Sequence, residues 1–261
     1  MRTAIEGEIA RYDPAKEHTT IFSSNAETQN SNDYFLESGD KIRYFFEPGA
    51  IDDQGRIVVP TESAFNKIGH ALHSLNPTFR KYTFDPRIVD IAADLGLNEP
   101  VVPQSMYIFK QPGIGGEVTS HQDSTFLYTT PLSTTGFWIP LQDCDRENGC
   151  LQMVPGSHHQ GLLGDRRMVR STNESGVLGT TFTGQYFAPP PEEFQACETP
   201  MGSLVIIHGS VVHRSDPNKS ARSRHAYTFH AIESQDTVYA SDNWLQYPED
   251  KPFPRLVPES G

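Results

Sequence analysis

Residues 203–232 read SLVIIHGSVVHRSDPNKSARSRHAYTFHAI, and this stretch decides the fold. Two apolar runs, 203–207 and 225–232, flank a segment rich in Ser, Asp, Asn and Pro. β-Branched and aromatic residues bounded by turn formers predict strands. The texture extends back to residue 101, where runs at 104–109 (QSMYIF), 125–129, 136–141 (GFWIPL), 150–154 (CLQMV) and 211–213 alternate with Gly/Pro turns. Further upstream the spacing turns helical. Residues 1–12 place Ile5, Ile9 and Ala10 near one face. Residues 62–75 (ESAFNKIGHALHSL) set Phe65, Ile68, Leu72 and Leu75 at helical intervals, with Thr61 as candidate N-cap. Residues 87–95 place Ile88, Ile91, Ala92 and Leu95 on one stripe between Pro86 and Gly96. Residues 41–46 (KIRYFF) read as a strand, and Asp52 to Gly55 as a turn. Helices first and strands after predict an α+β, mainly β chain. The expectation is one domain over 1–261, with a helical flank at 1–100 and a barrel or jelly-roll core at 101–232. Residues 156–200 are long and poor in strand signals, and are expected to form a lid.

Composition narrows the partners. A formal net charge of -12 argues against nucleic acid and against an anionic membrane surface. It leaves room for a small anionic ligand, since one buried Arg can hold a carboxylate locally. Cys144, Cys150 and Cys197 form no Cys-x-x-Cys pair, which argues against a disulfide framework and a thiolate zinc site. A reducing, cytoplasmic compartment is expected. Residues 1–13 carry no apolar signal region, and no apolar run reaches the roughly 18 residues of a membrane span.

The chemistry concentrates in His121-Gln122-Asp123. On an extended chain i and i+2 point to one side, so two metal-capable side chains converge. A surface turn carrying two polar residues would read the same way. A third ligand must come from a distant strand, and His213 ends the apolar run from Leu204. His208 competes with it, but opposite parity along one strand should face it the other way. Two His and one carboxylate form the facial triad of non-haem Fe(II) oxygenases, with positions left open for a co-substrate and O2. Arg222 and Arg224 stand where the chain re-enters the core. Each is either a solvated strand end or a buried clamp for a carboxylate. His158 and His159 read as turn residues, and His70 and His73 as helix-surface residues.

Several motifs together carry a resemblance: DYFLESGDKIRYFFE (33–47), NKIGHALH (66–73), QSMYIFKQP (104–112), GGEVTSHQDSTFLYT (115–129), ENGCLQMVPGSH (147–158), RRMVR (166–170), IHGSVVH (207–213), SARSRHAYTFH (220–230) and DNWLQ (242–246). On these the chain resembles the phytanoyl-CoA dioxygenase family from about residue 33 to about residue 254. The resemblance implies a double-stranded β-helix, the cupin-like jelly roll, with iron held by His121, Asp123 and His213. It implies that Arg224 binds the far carboxylate of 2-oxoglutarate, and that Lys67, Met106 and Trp138 line the co-substrate pocket. On periodicity alone Lys67 would be a solvated helix residue, and Met106 and Trp138 core residues. The resemblance also implies that family members carry a further helix and strand before the segment matching Met1.

The expected function is Fe(II)- and 2-oxoglutarate-dependent hydroxylation of a small organic substrate, releasing succinate and CO2. Asp123 favours hydroxylation, because related halogenases lack that carboxylate. The alternatives are a non-catalytic jelly-roll binding protein and a cupin-type metal enzyme that uses no oxo-acid. An acyl-CoA substrate would call for a basic rim. Only the Arg166, Arg167 and Arg170 cluster offers one.

Overall fold

The computed structural model describes residues 1–14, 16–17, 20–21 and 33–258. Its helices are α1 (Arg2–Ile9), α2 (Asp33–Leu36), α3 (Thr61–Ala64), α4 (Leu72–Leu75), α5 (Pro77–Thr83) and α6 (Pro86–Asp94). Its strands are, in chain order, β1 (Thr20–Ile21), β2 (Ile42–Phe46), β3 (Phe65–His70), β4 (Pro100–Ile108), β5 (Val118–His121), β6 (Thr129–Thr130), β7 (Thr135–Pro140), β8 (Leu151–Met153), β9 (Arg167–Thr172), β10 (Leu178–Thr183), β11 (Gln195–Cys197), β12 (Val205–His208), β13 (His213–Ser215), β14 (Ala226–Glu233) and β15 (Val238–Tyr239). Seven strands form the large sheet in the order β1-β2-β3-β4-β14-β7-β12. Four form the small sheet in the order β11-β8-β13-β5. The two make up the expected double-stranded β-helix.

The large sheet separates core from chemistry by the strand period of two. Tyr227, Phe229 and Ala231 of β14 are buried in one cluster with Ile5 of α1, Phe79 of α5 and Ile88 and Ala92 of α6. Ala226, Thr228 and His230 alternate with them and face the interior of the jelly roll. Helix α6 forms as its sequence dictates. The Asp85 side chain accepts from Arg87 N at 3.0 Å, Pro86 opens the first turn, and Gly96 takes a φ of +87° beyond the end.

The expected helix over 62–75 is instead α3, β3 and α4. The reason is a bulge. Phe46 pairs with Phe65 while Phe45 pairs with Lys67, leaving Asn66 as the extra residue. The bulge turns Phe65 and Ile68 to the same core cluster, and three-residue spacing on one face mimics a helix. The flank at 1–100 is therefore not only helical, since it supplies β1, β2 and β3 of the large sheet. The run 125–129 is also not one strand. A 3-10 turn, Asp123–Thr125, bends the chain there, with Phe126 N donating to Asp123 O at 2.9 Å. Within 156–200 the chain forms the hairpin β9–β10 and the edge strand β11. Among the described residues no helix is long and apolar enough to cross a membrane.

Candidate metal centre and its cavity

His121 and His213 are direct cross-strand partners on β5 and β13, so their side chains share a face of the small sheet. Their ring centroids lie 4.2 Å apart. Gln122 keeps an extended backbone (φ -119°, ψ 136°), which brings Asp123 back to the side of His121. Asp123 Oδ1 lies 3.6 Å from Nε2 of both His121 and His213. One ligand atom from each residue fits within 4.8 Å of the other two.

Each ring's tautomer follows from its other nitrogen. His121 Nδ1 donates to Thr119 O at 2.8 Å and His213 Nδ1 to Val211 O at 3.1 Å, because a carbonyl can only accept. A neutral ring so bonded carries its lone pair on Nε2, toward Asp123. Burial, aided by neighbouring His121, lowers the His213 pKa to about 4 and keeps it neutral. Burial would raise the Asp123 pKa, but His230, His213 and His121 outweigh it and hold the carboxyl well below its usual range. Two ring nitrogens and one carboxylate oxygen thus converge on one place. That donor set suits a cation.

Gln122, between the two ligand candidates, faces the other way and is buried. Its Nε2 donates to Gly161 O at 2.7 Å and Ser210 O at 2.6 Å, and its Oε1 accepts from Leu163 N at 2.8 Å. It fastens the turn to the segment after β8 and to the loop before β13. His208 and His213 do not share a strand, as the parity argument assumed. His208 ends β12 and is exposed, while His213 opens β13 and is buried.

A cavity of about 290 Å³ lies against this centre. Lys67 and Met106 line it, as do His121, Asp123 and His230. Lys67 is a buried strand residue, and burial lowers its pKa to about 7 against the opposing pull of Glu47. Trp138 and Arg224 are not among the lining residues. By register, though, Trp138 and Met106 both pair with Thr228, on the cavity's face of the sheet. Arg224 is 1 % exposed, with its guanidinium 5.3 Å from the Trp138 ring centroid. Its Nη2 donates to Ser215 Oγ at 3.3 Å, while Nε and Nη1 are buried without an acceptor among the described residues. An unpaired buried fork of this kind fits a carboxylate.

Sequence reasoning missed His230 and Gly136. His230 Nε2 lies 3.2 Å from Asp123 Oδ2. A Cβ on Gly136 would stand 3.2 Å from that same oxygen. Counting by twos from Arg224 along β14 reaches His230, a signal that was available. His70 and His73, expected on a helix surface, are buried against Ser38 and Ser105. The three arginines of 166–170 part company. Arg167 pairs with Asp242 and lies over Tyr128, Arg170 donates to Trp244 O and Leu36 O, and only Arg166 lines the cavity.

A jelly roll with two histidines and a carboxylate around an open cavity defines the class of cupin-like non-haem metal proteins. The chain belongs to the phytanoyl-CoA dioxygenase (PhyH) family, whose model matches residues 9–226. It is 51% identical over 239 residues to phytanoyl-CoA dioxygenase domain-containing protein 1 of Danio rerio, covering 91% of this chain and 81% of that protein. The Bos taurus protein of the same name is 50% identical over 98% of this chain and 89% of its own length. Among solved structures, the α-ketoglutarate-dependent carbocyclase SnoK from nogalamycin biosynthesis superposes with a TM-score of 0.55 at 21% identity, over 86% of this chain and 94% of that one. EctD from S. alaskensis gives 0.54 at 19%, over 77% and 69%. At such identities the likeness is one of fold.

Proposed function

We propose that the chain is an Fe(II)- and 2-oxoglutarate-dependent dioxygenase that hydroxylates a C–H bond of a small organic substrate, with release of succinate and CO2. His121, Asp123 and His213 hold the iron. Arg224 takes the far carboxylate of 2-oxoglutarate, with Trp138 against its guanidinium and Lys67 and Met106 on the co-substrate's side of the cavity. When bound, iron and 2-oxoglutarate supply the O2 activation that the side chains cannot. The protein's own work is to fix the donors, neutralise the co-substrate's charge in a buried place and keep water from the reacting C–H bond. Asp123 fills the position that a halogenase would leave for chloride, which favours hydroxylation.

The observation that carries this reading is the pairing of a converging His–Asp–His donor triad with a buried guanidinium that has no acid partner among the described residues. An anaerobic absorption titration tests it without any primary substrate. Fe(II) followed by 2-oxoglutarate should give a metal-to-ligand charge-transfer band in the wild type and none in His121→Ala. Iron binding without that band would refute the use of 2-oxoglutarate.

A further inference from the structure

We propose that Arg166 anchors an anionic group of the primary substrate, and that this substrate is a small monocarboxylate with an apolar body. The inference rests on the dioxygenase reading above and adds the substrate's class to it.

Arg166 precedes β9 and stands on the wall that residues 156–200 build over the cavity. Its guanidinium carbon lies 4.0 Å from the Phe182 ring centroid and 5.1 Å from that of Tyr186. These contacts hold the cation over aromatic faces and supply no acceptor. Among the described residues no carboxylate or carbonyl accepts from its side chain. Among the described residues lining the cavity the one carboxylate is Asp123, at the metal centre. Burial lowers the Arg166 pKa, as expected of a cation drawn partly out of water, yet a guanidinium remains charged at any working pH.

Around it the cavity lining is largely apolar, with Phe126, Leu163, Met168, Phe182, Phe187 and Trp244. A molecule filling it would place hydrocarbon between the metal centre and a single fixed cation. Lys67, the other cation on the cavity, sits on the large sheet beside Met106, where the co-substrate is assigned. That leaves Arg166 for the substrate. One planar fork matches one carboxylate. Several phosphates would need several cations, and Arg167 and Arg170 are engaged elsewhere. The cavity's volume of about 290 Å³ lies at the low end for small-molecule sites and favours a small ligand. Hydroxylation leaves a carboxylate untouched, so the same anchor holds substrate and product.

The test is isothermal titration of octanoate into protein saturated with Fe(II) and 2-oxoglutarate under anaerobic conditions. Octanol and octanoyl-CoA serve as comparisons. Octanoate should bind the wild type about tenfold or more tightly than octanol. Arg166→Gln should lose about tenfold to a hundredfold in octanoate affinity, level acid with alcohol, and keep the wild-type affinity for 2-oxoglutarate. Three results would overturn the proposal: no octanoate binding to the wild type, equal binding in Arg166→Gln, or tighter binding of octanoyl-CoA than of octanoate. The absence of an acid-over-alcohol preference in the wild type would overturn the proposal even if Arg166→Gln fails to fold. A missing charge-transfer band would defeat the dioxygenase reading, whereas the octanoate titration, repeated on metal-free protein, reads the Arg166 anchor separately.

Discussion

Asp123 Oδ2 faces His230 Nε2 at 3.2 Å, while its other oxygen, Oδ1, faces the ligand nitrogens of His121 and His213. The two oxygens of one carboxylate are thus divided between two tasks. Gln104 Nε2 donates to His230 Nδ1 at 3.2 Å, so the proton of that ring belongs on Nε2, toward Asp123. The His230 ring, held by Gln104, stands against one carboxylate oxygen and leaves the other for a cation.

His230→Ala should therefore weaken Fe(II) affinity by about tenfold to a hundredfold, the usual cost of losing such a support. His230→Gln, which can still donate, should recover part of it. An anaerobic Fe(II) titration measures both. Wild-type affinity in His230→Ala would mean that Asp123 is positioned without this ring.

Gly136 has little room for a side chain. An added Cβ would lie 3.2 Å from both Asp123 Oδ2 and Ile207 Cβ. Gly136→Ala should cost about 1–3 kcal/mol of stability through overpacking and should also lower Fe(II) affinity. Urea denaturation and metal titration on the same sample separate the two effects. A stable variant with intact metal binding would show that the carboxylate can shift freely.

Arg224 gives a test that distinguishes ligand binding from support of the fold. Its buried charge has no acid partner among the described residues, so Arg224→Met removes a cost as well as a group. The metal-free variant should be at least as stable as the wild type to urea. Its affinity for 2-oxoglutarate should fall by about a hundredfold, read from the charge-transfer band. A strongly destabilised variant would make Arg224 a structural residue instead.

Acid should destabilise the metal-free protein through its buried histidines. Burial lowers the pKa of His70 and of His73 to about 3, against an ordinary value of 6.5. The unfolded chain takes up these protons first. The stability they allow is complete above pH 6.5 and drains away as pH falls toward their folded values. The slope should be about 1 kcal/mol per pH unit for each ring. Urea midpoints between pH 7 and about pH 5 measure it, and His73→Gln should flatten the curve.

Much of this was legible in the chain. His121-Gln122-Asp123 needed only an extended backbone to converge, and β4, β7, β12 and β14 follow the apolar runs that announced them. The helix α6 was announced by Pro86 and Gly96. What misled was local geometry that sequence does not print. The bulge at Asn66 disguised a strand as a helix and Lys67 as a solvated residue. The loop between β12 and β13 broke the parity that had been counted from His208 to His213. The arginines at 166, 167 and 170 looked like one basic patch. A bend before the strand and the strand's own alternation sent them to three destinations.

The alternation along β14 has a consequence for how such a protein can change. Tyr227, Phe229 and Ala231 face the helices; His230 lines the cavity, and Thr228 shares its face by pairing with cavity-lining Met106. Substitutions on the second set can alter what is bound while the helical layer stays anchored, so new specificities are reachable through single replacements. Insertion of one residue between His225 and Tyr227 would do the opposite. It would present phenyl rings to the metal and an imidazole to the core, exchanging both inscriptions at once. In this strand, length is the inherited property and chemistry the adjustable one.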